Sequence, residues 1–330
     1  MSVVTERAAI PVLDLGAYLE GAPGALDATA ASLREALERV GFFFIVNHGV
    51  PWPLVNGIFA EARRFHALPL DEKLALKMSK HNTGYVAVGG GVSNASRIAA
   101  ARKPNLNAAF FMKRDRSPDD PDVVNDVPLR GLNQWPAALP GFREKLREYF
   151  ATMEAFCARL LPLYARALDL PDGFFAEPFR EAQITLRLSH YPRVPAEQDQ
   201  FGLSPHTDAG FMTLLPDNDV PGLEIRPAGR DWVPAPSLPG SFLVNSDDIP
   251  RRWTNDRFLS TEHRVLPSSA RDRYAIPFFF DPRTDVVIDC LPTCQGPGDP
   301  PKYAPTPYGD YLVWFMRRNY HGATEEAPRP

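Results

Sequence analysis

The chain predicts a mainly β fold with flanking helices, and three observations carry that expectation. Helical periodicity is confined to the first part of the chain, to a long stretch from Gly141 to Asp169, and to the end. After Asp169-Leu170-Pro171-Asp172-Gly173 the pattern changes to short β-like runs separated by Pro, Gly and Asn, the succession expected of a jelly roll. Within that half, His206-Thr207-Asp208 is preceded by the strand-like run Ala182 to Pro192 and followed by Arg273 to Phe280. No internal repeat and no interdomain linker interrupts the chain, so a single domain is expected.

Taken in order, Ala25 to Val40 sets Leu26, Ala30, Leu33, Leu37 and Val40 at three- and four-residue steps, the signature of an amphipathic helix. It leads into Phe42-Phe43-Phe44-Ile45-Val46, a short apolar run bounded by Gly41 and Asn47-His48-Gly49, which reads as a buried strand. A second helix is expected from Pro53, placed as a first-turn proline, to about Phe65, with Asp71 capping a short one after it. From Ser79 to Lys103 the helical pattern fails, and Gly89 to Ser96 has the most flexible composition of the chain. A surface loop and a lid over an active site are both consistent with it, since loops this long in compact domains are often functional. A phosphate cradle is not, because no P-loop lysine with a following Ser or Thr completes it. Gly141 to Asp169 is the longest helix, with Phe142, Leu146, Tyr149, Phe150, Met153, Phe156, Leu160 and Tyr164 as a core stripe and Pro162 expected to kink it. A last helix over about Tyr308 to Tyr320 is expected to pack back on the β core, leaving Ala323 to Pro330 as a frayed polar tail.

Composition narrows the function. Hydrophobic residues at 44% and aromatics at 11% exclude a disordered chain, since enough apolar surface is present to offset ordering entropy. With 36 Lys+Arg against 40 Asp+Glu, the net charge of −4 gives no reason to expect nucleic acid or an anionic membrane as partner, and a small-molecule substrate fits better. Met1 to Arg7 lacks the apolar core of a signal peptide, and no segment has the roughly eighteen uninterrupted apolar residues of a membrane helix, so a cytoplasmic location is expected. Cys157, Cys290 and Cys294 are few and odd in number, which argues against a disulfide framework and for a reducing compartment. Cys290 and Cys294 do not make a zinc site, having Pro292 between them and no second Cys/His pair nearby.

The chemistry is concentrated in His206-Thr207-Asp208, answered by His263 and then Arg273. Two imidazoles and one carboxylate can hold a metal on one face and leave the opposite positions open, which suits ferrous iron reacting with O₂. His-x-Asp puts both side chains on one side of an extended strand, so the third ligand must come from another strand. A bare His-x-Asp is common by chance; the β context makes it specific. His48, His66, His81, His190 and His321 have no partner at ligand spacing and read as structural, and strand alternation turns His190 away from the face carrying Ser189 and Tyr191.

With these residues in place, the chain resembles the iron(II)- and 2-oxoglutarate-dependent dioxygenases, in the branch containing isopenicillin N synthase and the plant flavonoid and gibberellin oxygenases. Ile10 to Leu15 and Gly41 to Val50 are similar to that branch's N-terminal region, and Ala182 to Asp281 to its oxygenase core. The resemblance implies a double-stranded β-helix, or jelly-roll, core and a single oxygenase domain over residues 1–330. Within it, 1–140 forms an N-terminal region of helices, strand and lid, 182–283 the iron and 2-oxoglutarate core, and 308–321 the C-terminal helix.

The resemblance also implies roles for individual residues. His206, Asp208 and His263 become the iron ligands and catalytic centre, leaving three octahedral positions for 2-oxoglutarate and O₂. Arg273 becomes the clamp on the distal carboxylate of 2-oxoglutarate, a task suited to a two-pronged guanidinium that cannot lose its charge, and Tyr191 adds a hydroxyl to the same group. Two departures stand out. The family's Arg-x-Ser has Ala275 in its third position here, and Ser189 replaces an asparagine common two residues before the tyrosine. Alternation aims Arg187 and Phe279 at the barrel mouth, where with Ser189 and Asn105 they form the expected substrate contacts: an aromatic floor with one cationic group. The implied reaction is oxidation, by default hydroxylation, of a small organic molecule with release of succinate and CO₂. An oxidase that does not consume 2-oxoglutarate, and a silent receptor on the same scaffold, remain open at this point, although a receptor is expected to carry a broken triad.

Overall fold

The computed structural model describes residues 10–90, 103–267 and 271–320. Its N-terminal part contains β1 (Val12–Asp14), α1 (Gly16–Leu19), α2 (Ala25–Arg39), β2 (Phe42–Val46), α3 (Trp52–His66), α4 (Leu70–Leu74), β3 (Gly84–Val86), β4 (Ala108–Lys113), α5 (Pro121–Val124) and α6 (Phe142–Ala167). Nine strands follow: β5 (Gln183–Tyr191), β6 (Leu203–His206), β7 (Met212–Pro216), β8 (Leu223–Arg226), β9 (Val233–Pro234), β10 (Phe242–Ser246), β11 (Glu262–Val265), β12 (Arg273–Ala275) and β13 (Phe278–Asp281). The short helix α7 (Asp248–Trp253) lies between β10 and β11, and β14 (Val287–Ile288), β15 (Thr306–Pro307) and α8 (Tyr308–Tyr320) close the described chain.

The large sheet runs β1-β2-β10-β7-β13-β5-β4-β3, with β12 also on β5; a second sheet runs β6-β11-β8-β9. Strand alternation explains how they stack. In β2 every residue but the last is buried, because both faces are covered. Phe43 and Ile45 join the core shared with α2, α3 and α6, while Phe42 and Phe44 join a second core with Leu223 and Ile225 of β8 and Val265 of β11. The same rule holds across the sheet: Leu186, Leu188, Phe278 and Phe280 face the helices, and Arg187, Tyr191, Ala275 and Phe279 face the interior of the sandwich. That interior is the jelly-roll core.

Helices α2 and α6 form where the periodicity placed them, burying Leu33 and Leu37 from one and Leu146, Tyr149, Met153 and Leu160 from the other. Pro162 lies inside α6, and Pro53 opens α3. Three expectations are corrected. Asp71 does not cap α4; Pro69 holds that position in extended conformation and Asp71 falls in the first helical turn, where its charge faces the positive end of the helix dipole. The segment from Ser79 is not all loop, since Gly84–Val86 pairs with β4 as the sheet's edge strand; the part of the lid expectation covering residues 91–102 lies outside the described residues. The Arg273 to Phe280 run is two strands rather than one. Pro277 has no N–H to continue the ladder, and its carbonyl instead accepts a hydrogen bond from the Arg187 N–H at 3.1 Å. His321 and the polar tail also lie outside the described residues.

Candidate active site

The strand ladder sets the centre. β6 and β11 are antiparallel, and His206 and His263 are direct cross-strand partners, with a register shift between His263 and Val265. Their rings lie 4.2 Å apart between centroids. Each imidazole is oriented by its own strand: His206 Nδ1 lies 2.8 Å from the Ser204 carbonyl and His263 Nδ1 3.3 Å from the Thr261 carbonyl, so Nδ1–H donates in both. That leaves both Nε2 lone pairs free, and they converge on Asp208, at 3.6 Å from Oδ1 and 3.7 Å from Oδ2. The three ligand atoms lie within 4.8 Å of one another. Burial, followed by the neighbouring His263, holds His206 far below the usual imidazole range, so it is a neutral donor. Burial pushes the Asp208 carboxyl up, but His263, His206 and two hydrogen bonds outweigh it and hold the carboxyl below its usual range. Two imidazoles and a carboxylate, with Nε2 atoms aimed at one point, fit a divalent iron.

Asp208 is held by residues that the sequence reading did not single out. Asn245 of β10 and Thr213 of β7 are cross-strand partners on the interior face. Asn245 Nδ2 and Thr213 Oγ1 reach Asp208 Oδ2 at 2.9 and 3.0 Å. Both also reach the fully buried Asp247, at 2.7 and 3.1 Å. Burial, then repulsion from Asp208 and Asp281, pushes Asp247 well above the carboxylate range, so it is neutral. The available signal is a polar residue within each of two otherwise apolar runs, Thr213 in β7 and Asn245 in β10. Gly210 in the following turn admits no side chain: an added Cβ would lie 2.0 Å from Asp281 Oδ1.

Two clefts meet at the triad, sharing His206, Asp208, Arg187, Leu203 and Phe279. The inner one, about 540 Å³ including its mouth, extends past His263 to Tyr191, Ala275 and Arg273. Arg273 is nearly fully buried, donates Nε–H to the Val220 carbonyl at 3.1 Å and sits with its guanidinium carbon 5.1 Å from the Tyr191 ring centre. Its Nη1 is buried with no hydrogen-bond partner. A buried, unsatisfied cationic donor at the far end of a cleft that begins at the triad fits the distal carboxylate of a bidentate 2-oxo acid.

The outer cleft, about 890 Å³ including its mouth, is lined by Asn105, Asn107, Phe111, Arg187 and Phe279, with Leu312, Phe315 and Met316 of α8 as its far wall. Asn105 therefore reaches this cleft, yet its Oδ1 is occupied by Ser204, accepting from N and Oγ at 2.9 and 2.7 Å, so it also steadies the strand that carries His206. Ser189 lines neither cleft. Its hydroxyl is buried without a partner, on the interior face between Arg187 and Tyr191 and directly opposite Ala275. His190 points the other way, bonded to Asp272 at 2.9 Å and stacked on Tyr274. Phe111 and the α8 residues have no individual signature in sequence; only the fold gathers them.

The chain is similar to known proteins over most of its length. Residues 10–138 match the family described as non-haem dioxygenase in morphine synthesis N-terminal, and residues 182–282 match the 2OG-Fe(II) oxygenase superfamily. The 2-oxoglutarate-Fe(II) type oxidoreductase hxnY of Emericella nidulans is 34% identical, over 94% of this chain and 90% of its own. The crystal structure of JOX2 in complex with 2OG, Fe and JA superposes with a TM-score of 0.75 at 29% identity, covering 93% of this chain and 84% of that one. A full-length Neurospora crassa protein crystallised with alpha-KG and thymine shares the fold, with a TM-score of 0.82 at 24% identity over 96% of this chain and 98% of that one. The chain belongs to the 2OG-Fe(II) oxygenase superfamily, and is an Fe(II)- and 2-oxoglutarate-dependent dioxygenase acting on a small molecule.

Proposed function

We propose that the two clefts divide the task, the inner one holding 2-oxoglutarate and the outer one a small organic substrate that is hydroxylated where they meet. His206, Asp208 and His263 would hold iron. When bound, iron with 2-oxoglutarate and O₂ supplies oxidative decarboxylation to succinate and CO₂ coupled to oxidation of a C–H bond. The protein's own residues bind, orient and exclude water. Asn245 and Thr213 hold Asp208 through Oδ2, so that Oδ1 faces His206 and Oδ2 faces His263. Arg273 and Tyr191 anchor the distal carboxylate, and Ala275 leaves room beside it. Phe279, shared by both clefts, forms the apolar partition over the reacting carbon. Arg187 and Asn105 are polar groups on the substrate side, and Ser189 belongs to the cosubstrate side of the same strand. The whole chain acts as one oxygenase domain in a reducing cytoplasm, a reading supported by Cys157, Cys290 and Cys294 standing as buried free thiols.

The observation that carries this reading is the convergence of both Nε2 atoms on Asp208 at the junction of the clefts. Anaerobic addition of Fe(II) and then 2-oxoglutarate should produce the weak visible charge-transfer band of a bidentate 2-oxo acid on iron. Iron binding with no such band at saturating 2-oxoglutarate would refute it.

A further inference from the structure

We propose that the substrate is a small monocarboxylic acid with an apolar body, its carboxylate received by Arg187. The proposal deepens the functional reading above and rests on it. Arg187 is buried at 7% exposure, and its guanidinium stands at the junction of the clefts. Among the described residues no carboxylate pairs with it, and its Nε is buried without a partner. What holds it is neutral: with the Asn107 amide oriented to satisfy both its ends, Asn107 oxygen accepts from Arg187 Nη2 at 2.5 Å while its nitrogen donates to the Gly202 carbonyl at 3.3 Å. On the other side the guanidinium lies 5.2 Å from the centre of the Phe111 ring, the residue paired with it across β4 and β5.

A buried cation held only by an amide and an aromatic face has not recovered what it lost on leaving water. An incoming carboxylate restores it through charge-assisted hydrogen bonds, and an uncharged ligand does not. The two anchors, Asn107 and Phe111, belong to the outer cleft and draw Arg187 toward β4, away from Arg273, which already stands at the end of the inner cleft. The anion it awaits is therefore the substrate's. Asp281 lines the same outer cleft, and a second negative charge on the ligand would meet it, so the chemistry favours a monoanion. The rest of the wall is Phe111, Phe279, Leu312 and Phe315, which calls for a hydrocarbon or aromatic body.

The test uses the protein loaded with Fe(II) and 2-oxoglutarate without oxygen, titrated with phenylacetate and 3-phenylpropanoate and with their primary amides, following the change in the visible band. The acids should bind at least about tenfold more tightly than the amides. Arg187→Gln should abolish that difference while the 2-oxoglutarate dissociation constant stays within about twofold. Asn107→Leu, which keeps the charge but frees the guanidinium, should weaken the acids alone. Equal binding of acids and amides to the unaltered protein would overturn the proposal, as would binding of neither at about 10 mM, and neither result depends on a variant that folds. Loss of 2-oxoglutarate affinity in Arg187→Gln with the acid preference intact would overturn it too, assigning Arg187 to the cosubstrate. Absence of the band before any acid is added is a different failure, that of the oxygenase reading itself.

Discussion

Removing the hydroxyl of Ser189 should weaken 2-oxoglutarate binding, although this residue lines neither cleft. The family's Arg-x-Ser places a hydroxyl two residues after the arginine; here that position is Ala275, and Ser189 is its direct partner across the β5–β12 ladder. Cross-strand partners carry their Cβ atoms about 5 Å apart on the same face, so the hydroxyl has moved sideways by one strand while keeping its aim into the sandwich. Its other cross-strand neighbour is Ala109, so no polar side chain competes for it from either side. Both Ser189 Oγ and Arg273 Nη1 are buried with no hydrogen-bond partner, and a carboxylate offers acceptors to both. Ser189→Ala should therefore cost about 0.5–1.5 kcal/mol of 2-oxoglutarate binding, roughly twofold to tenfold in the dissociation constant. It should not lower the melting temperature of the unloaded protein, because the group removed is already unsatisfied there. The double substitution Ser189→Ala with Ala275→Ser returns the hydroxyl to the family position and should restore binding, whereas Ala275→Ser alone adds less than tenfold. Anaerobic titration of 2-oxoglutarate into the Fe(II) protein measures all four proteins. An unchanged dissociation constant in Ser189→Ala, with an unchanged melting curve, would show that the hydroxyl stays out of reach of the cosubstrate.

Three further outcomes are expected. Asp208→Ala should lose most iron while retaining the circular dichroism of the fold, since the core that builds the barrel does not include the triad; stoichiometric tight iron in that variant would sink the assignment. Arg273→Lys should weaken 2-oxoglutarate by about 1.5–3 kcal/mol with iron affinity little changed, because an ammonium cannot make the two-pronged contact. Burial pushes Asp281 up from 3.8 to about 6, against the pull of the Phe211 N–H and Lys113. Its folded-state value being the higher one, its contribution to stability is complete below the unfolded value and is lost as pH rises through the folded one. Relative to Asp281→Asn, the parent protein should thus lose about 3 kcal/mol between about pH 4 and pH 7 in urea unfolding of the metal-free protein; parallel pH profiles would refute the shift.

The parts of the molecule that can be read from sequence are those whose cause is local. The apolar stripe of α6 and the two-faced run of β2 announce their surroundings directly, and His206, Asp208 and His263 are legible because few residue types hold iron and two of the three sit at strand spacing. Arg273 and Tyr191 follow from likeness to a family rather than from any local rule. What escapes is set by contacts between distant segments. Thr213 and Asn245 look like ordinary polar interruptions of apolar strands until register places them side by side over Asp208. Pro277 divides a run that reads as one strand, and Pro69 takes the position that Asp71 was expected to fill. Ser189 reads as a substrate contact by alternation, but it lines neither cleft and stands opposite Ala275, a neighbour invisible in the linear chain.

The last helix has a consequence for how such an enzyme changes over time. Leu312, Phe315 and Met316 wall the outer cleft, while His206, His263 and Arg273 lie on strands of the two sheets and Asp208 in the turn just after β6, rather than on the strand as its spacing suggested, all well upstream in the chain. One wall of the outer cleft is thereby written on a stretch of sequence that carries no metal ligand. On the proposed reading of the outer cleft, a substitution in α8 can widen, narrow or reshape the substrate chamber without disturbing a single metal ligand, so new substrates can be explored by drift in one helix while the iron site is kept.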